Sequence, residues 1–72
     1  MPPKILKVSI EVLELSEELR AFMVKNGFQT LEMILHYSGK ELLEMEGFSY
    51  RMLKEFLGIL HRHDCLNLFK DN

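Results

Sequence analysis

The C-terminal part of the chain carries side chains that can bind metals or act as nucleophiles. His61, His63 and Cys65 follow one another at two-residue spacing. Residues two apart on a helix point to different sides, so these atoms converge only if the helix has already ended. The set also lacks a clear fourth ligand for a zinc site. The pattern favours a helix C-terminus that suits cations, with Cys65 as a small apolar residue, and we expect no metal and no cofactor.

Acidic side chains form a second cluster, at Glu41, Glu44 and Glu46. As a general acid–base pair they would need a pocket, and a chain of 72 residues has little room for one. As a helix cap and a solvated helix face they need nothing further. We therefore expect no catalytic residues, no small-molecule substrate and no enzymatic activity.

A third pattern, from Leu42 to Lys54, suits an anion. It predicts two helices joined by the tight turn Met45-Glu46-Gly47-Phe48-Ser49. Such a turn aims the first backbone N–H groups of the second helix at one point, where a phosphate oxygen fits. The predicted DNA-backbone contacts are Gly47, Ser49, Arg51 and Lys54. The alternative is an ordinary solvated helix face.

The elements that position these groups are predicted to be helices. Ser16 is a good cap for a helix that ends at Asn26-Gly27, and Thr30 begins a shorter helix. Ser38 and Glu41 form a capping box. Ser49 caps the last and longest helix, and Phe48 before it is expected to be buried. Very short turns force sharp angles between neighbouring helices, which predicts a compact all-α domain of four to five helices over residues 16–72.

The N-terminal segment, residues 1–15, has a different pattern. Val8, Ile10 and Val12 alternate with polar residues at the period of a strand. We expect an extended arm that covers the helices of its own chain or pairs with another chain. The predicted protein contacts are the three arm residues and the corner at the start of the last helix, namely Val8, Ile10, Val12, Tyr50 and Met52.

Composition limits the function classes. The chain is 47% hydrophobic, which excludes disorder, and no apolar run reaches the ~20 residues of a membrane span. The net charge of −2 weighs against a dedicated nucleic-acid binder. Residues 1–46 carry five Lys or Arg against eight Glu, a net charge of −3, and residues 47–72 carry +1. A single cysteine favours a reducing compartment, and we expect a cytoplasmic protein.

The segment from Leu42 to Leu53 resembles a helix-hairpin-helix, with Gly47 as the first glycine of the turn and Phe48 as its buried hydrophobe. From about Leu13 to Leu68 the chain resembles the C-terminal domain of the bacterial RNA polymerase alpha subunit. That resemblance implies a small helical domain that contacts the DNA minor groove and docks on activators. Sterile-alpha-motif domains resemble residues 42–60 and are the competing family.

The polymerase resemblance also implies a set of DNA-contacting positions. Three of them carry altered chemistry here: Glu18 replaces an arginine, Ala21 an asparagine and Met52 a serine. At a fourth, Ser49 replaces the second hairpin glycine. Arg51 keeps a positive charge, and Glu55 keeps a glutamate. The base-reading groups are therefore missing, while one cation of the hairpin remains.

Two functional hypotheses follow from these patterns. The first is a DNA-binding domain of the polymerase-alpha C-terminal type. The second is a non-catalytic, transcription-associated module that docks a protein partner or itself, with at most weak, nonspecific contact to the DNA backbone. Net charge and the substitutions at Glu18, Ala21 and Met52 favour the second. A sterile-alpha-motif-like interaction domain is a further alternative.

Overall fold

The structure is a computed structural model and describes residues 4–69. Residues 1–3 of the predicted arm and residues 70–72 of the predicted helical domain lie outside the described residues. The described part is all-α, with four α-helices: α1 (Glu17–Lys25), α2 (Leu31–Ile34), α3 (Gly39–Glu44) and α4 (Tyr50–Arg62). Short 3-10 turns lie at Lys4–Lys7, Ile10–Val12 and Leu66–Leu68.

All four helices begin where the sequence predicts; Thr30 precedes α2 without a side-chain cap bond, and the other three helices begin at serine caps. The Ser16 hydroxyl accepts a hydrogen bond from the Leu19 N–H at 3.2 Å. Ser38 and Glu41 exchange the two bonds of a capping box, at 3.1 and 2.8 Å. Ser49 accepts from the Met52 N–H at 3.3 Å. Each bond satisfies an N–H group that has no partner within its own helix.

A row of aromatic rings joins the helices. Phe22 of α1 packs against Phe48 at 4.9 Å between ring centroids and against Phe28 at 6.1 Å. Phe28 in turn contacts Tyr37 at 5.7 Å. Phe48 is buried, as predicted. Gly47 before it has φ of +88°, a left-handed conformation that strains other residues, so the turn that places Phe48 on Phe22 depends on this glycine.

The N-terminal segment differs from its prediction. Its described part forms two 3-10 turns instead of continuing as an extended arm; the Ser9 hydroxyl caps the second turn by accepting a bond from the Glu11 N–H, and the Ile10 N–H donates to the Gln29 carbonyl oxygen. The strand-like alternation is therefore lost. Ile10 is buried, Val8 is half-buried and Val12 is 74% exposed. Ile10 thus covers its own chain, and Val12 points to solvent.

The segment after α4 closes the core on the far side of that helix. Cys65 is buried, as predicted, and the Phe69 ring packs edge-on against Phe56 at 5.8 Å. Asp64 has a positive φ of 57°, which reverses the chain so that it returns to α4. None of the helices within residues 4–69 is both long and apolar enough to cross a membrane.

Candidate functional site

Five of the sequence-predicted DNA positions, Glu18, Ala21, Gly47, Ser49 and Met52, line one groove between α1 and the start of α4, whereas Arg51, Lys54 and Glu55 do not line it. We call it the α1–α4 groove. Its volume is about 290 Å³, and its lining residues are Glu18, Ala21, Phe22, Lys25, Glu46, Gly47, Ser49 and Met52. Glu18 and Ala21, which are far from the hairpin in sequence, thus share one surface with Gly47 and Ser49. Ala21 is exposed in this groove, whereas Phe22 and Met52 form its nearly buried floor.

The one hairpin cation beside the groove is already paired. An Arg51 Nη donates to a Glu18 carboxylate oxygen at 3.4 Å. Lys25 and Glu46 form a second ion pair, at 3.8 Å. The Ser49 hydroxyl is occupied as the α4 cap, which leaves the N–H groups of Tyr50 and Arg51 at the helix start. A phosphate approaching these N–H groups would be repelled by the Glu18 carboxylate, which already forms an ion pair with Arg51.

Glu55 has a structural partner. The Ser16 backbone N–H donates to one oxygen of its carboxylate at 2.8 Å, and the Ser16 hydroxyl donates to the other at 2.6 Å. These bonds join the N-cap of α1 to the second turn of α4. They hold Glu18 and Arg51 on one face of the molecule, although the two residues belong to different helices. The resemblance implies that Glu55 contacts DNA, whereas in this structure its carboxylate links the two helices.

The remaining predicted residues separate into exposed and buried ones. Lys54 is exposed and makes no ion pair within residues 4–69. Tyr50 is 67% exposed at the tip of α4 and remains available to a partner. Met52 was predicted as a protein contact, and this is corrected: it is 2% exposed. The buried face of α4 comprises Met52, Leu53, Phe56, Ile59 and Leu60, so it extends into the first turn of the helix.

The histidine and cysteine cluster does not assemble. Among residues 4–69, no group of three or more His, Cys, Asp or Glu side chains could hold a metal ion. His61 and His63 are exposed, whereas Cys65 is buried. Burial raises the pKa of the Cys65 thiol, and the neighbouring Asp64 carboxylate raises it further. The thiol is therefore neutral near pH 7, which makes it a poor nucleophile.

Three residues of the groove were not predicted from the sequence as members of this site: Phe22 and Lys25, and also Glu46, which was interpreted only as part of an acidic cluster and of the turn. The signal for two of them was present. Glu18, Ala21, Phe22 and Lys25 are spaced at i, i+3, i+4 and i+7, which places them along one side of α1. The contribution of Glu46 had no comparable signal, because it depends on how the turn faces α1.

Comparisons with known proteins leave the geometry as the basis for function. The chain matches no protein-family model, no curated protein and no solved structure.

Proposed function

We propose that the chain is a non-catalytic binding module of a transcription complex, built on a helix-hairpin-helix fold like that of the polymerase alpha C-terminal domain. It docks a protein partner through the α1–α4 groove and the adjoining Tyr50. Contact with the DNA backbone is weak and nonspecific. The proposal includes a cytoplasmic location, where such a partner is found.

The observation that carries this proposal is the Glu18–Arg51 contact beside an apolar surface. A phosphate at the start of α4 would have to compete with the Glu18 carboxylate, which lies 3.4 Å from the Arg51 guanidinium. A protein-binding groove needs apolar surface with polar groups at its rim, and Ala21 is exposed there above the nearly buried side chains of Phe22 and Met52. The exposed Tyr50 is a residue type common among interface hot spots.

The transcription setting rests on the sequence resemblance. The helix boundaries agree with the spacing on which that resemblance depends, since α3 ends at Glu44 and α4 begins at Tyr50. The same spacing would suit a sterile-alpha-motif-like interaction domain. The two differ in their partner, and for this reason the test uses polymerase directly.

The test measures binding of the protein to purified bacterial RNA polymerase holoenzyme and, separately, to a short DNA duplex. Tyr50→Ala removes the exposed anchor, and Ala21→Gln places a longer side chain in the groove. Each variant should weaken polymerase binding about tenfold, which is the ~1–2 kcal/mol of a moderate hot spot. Leu43→Ala changes an exposed leucine of α3 that does not line the groove and serves as the matched control.

Three results would contradict the proposal in different ways. Equal effects of Leu43→Ala and Tyr50→Ala would remove the groove from the docking surface. Tight, sequence-selective DNA binding would establish the DNA-binding alternative. No binding to the holoenzyme at any tested concentration would exclude a polymerase partner and favour the sterile-alpha-motif-like alternative.

A further inference from the structure

A second groove lies at the other end of α4, and we call it the Val12 groove. Its volume is about 260 Å³, and its lining residues are Ile5, Val12, Leu13, Glu14, Leu15, Ile59, Arg62 and His63. None of these residues lines the α1–α4 groove. Ten residues of helix separate Met52 from Arg62, a distance of ~15 Å along α4. The two surfaces are therefore distinct, and an inference about one does not depend on the other.

The surface of the Val12 groove is more polar than apolar, and Val12 is the apolar side chain that the fold leaves most exposed there. Val12 is 74% exposed, although its neighbours Leu13 and Leu15 pack partly against the core. Its position is set by two interactions. The 3-10 turn at Ile10–Val12 buries Ile10, and Arg20 donates hydrogen bonds to the carbonyl oxygens of Ile10 and Leu13 on either side of Val12. The exposure thus belongs to an ordered backbone.

The charges of the Val12 groove are of both signs and are not paired with each other. Glu14 and Arg62 both line the groove, yet neither forms a salt bridge with any residue among those that the structure describes. The α1–α4 groove differs in this respect, because Lys25 and Glu46 pair there within the chain. A partner for the Val12 groove would have to offer apolar surface, one carboxylate and one cation.

We propose that this partner is a second copy of the chain, and that the Val12 groove is a two-fold symmetric dimer interface. In such a contact both copies use the same surface. If residue i of the first copy contacts residue j of the second, then residue j of the first copy also contacts residue i of the second. A two-fold axis beside Val12 brings the two valines together. It also sets Glu14 of each copy against Arg62 of its partner, so that both charges gain a counterion.

The dimer is expected to be weak and reversible. A stable interface buries about 800 Å² on each partner, roughly one sixth of the 5057 Å² accessible surface of this chain. The Val12 groove covers a smaller area, which places the contact among the transient complexes. Sedimentation velocity at protein concentrations up to about 1 mM detects complexes of this strength.

The first arm of the test compares two exposed valines. Val12→Asp places a charge at the proposed axis and should abolish the dimer. Val24→Asp is the matched control, because Val24 is 66% exposed on α1, lines neither groove and should leave the dimer unchanged. Circular dichroism of both variants tests that they fold as the parent does. A monomeric parent at 1 mM, or equal effects of the two substitutions, would overturn the proposal.

The second arm uses charge exchange between copies. Glu14→Arg alone, or Arg62→Glu alone, turns both crossed pairs of a homodimer from attraction to repulsion and should weaken it about tenfold. An equimolar mixture of the two single variants restores both pairs in the heterodimer and should associate like the parent. If the mixture associates no better than either single variant, Glu14 and Arg62 do not meet across the interface, and the proposed symmetric contact is wrong.

Discussion

The groove between α1 and α4 makes a direct prediction about DNA. In the parent protein, Arg51 and Lys54 are the cations in the first two turns of α4; Glu18 pairs with Arg51, and Lys25 across the groove is paired with Glu46. We expect binding to a DNA duplex to be no tighter than the nonspecific range of ~10⁻⁴–10⁻⁶ M. Log K should fall against log salt with a slope of about −2 or shallower. The double variant Glu18→Arg, Ala21→Asn replaces the opposing carboxylate with a third cation and adds a hydrogen-bonding amide.

The size of the gain can be worked from the geometry. A third phosphate contact steepens the salt slope by about 0.9, to nearly −3. One charged and one neutral hydrogen bond, both at an exposed site, contribute about 1–2 kcal/mol, which is a five- to thirtyfold gain in affinity. Folding should survive, because the Glu18–Arg51 pair is 55% and 85% exposed and contributes at most about 1 kcal/mol. Asn in place of Ala21 costs about 0.6 kcal/mol of helix propensity.

Fluorescence anisotropy of a labelled duplex over a salt series measures both quantities. Glu11→Arg is the control, because it makes the same change in net charge at an exposed residue outside the groove. A double variant that remains folded but matches this control in affinity and in salt slope would refute the reasoning. It would mean that the face shared by Glu18 and Gly47 does not meet a phosphate backbone.

The other predictions concern stability. Phe48→Ala should cost about 3–5 kcal/mol, enough to unfold a small domain, and a melting temperature within a few degrees of the parent would contradict its packing on Phe22. Glu55→Ala should cost about 1–3 kcal/mol in urea denaturation, because it removes two hydrogen bonds to Ser16. Deleting residues 1–12 removes the buried Leu6 and Ile10 and should lower helix content in circular dichroism; unchanged helix content would show that the segment is not needed as cover. Burial raises the pKa of the Cys65 thiol above its ordinary value of 9.0. The stability that the neutral thiol contributes is therefore fully present below pH 9.0, and it falls as the pH rises further. Cys65→Ala should remove this contribution to the loss of stability at alkaline pH.

The elements of the fold can be found in the sequence because their signals are local. A serine cap acts within three residues, a capping box within the same span, and a helical stripe within two turns. Ser16, Ser38 and Ser49 therefore mark the starts of α1, α3 and α4 without knowledge of the rest of the chain. The burial of Phe48 is local in the same sense, because a hydrophobe between a turn glycine and a helix cap has little choice of direction.

The orientation of single side chains was less predictable. Val8, Ile10 and Val12 alternate with polar residues at the period of a strand, but the backbone at Ile10–Val12 adopts a 3-10 conformation with about three residues per turn, capped by Ser9. Val12 then faces solvent while Ile10 is buried. Met52 shows the opposite error, because it was expected at the surface and is buried. The width of the buried face of α4 depends on the elements that pack against the helix.

The contacts that define both grooves were decided by packing. Glu18 and Arg51 are separated by 33 residues, and Ser16 and Glu55 by 39, so no local pattern relates them. They meet because Phe22, on the same helix as Glu18, packs against Phe48 just before α4 and so fixes the distance between the two helix starts. Whether a cation is paired, and whether a valine is covered, depends on that distance between elements and not on the composition of either element.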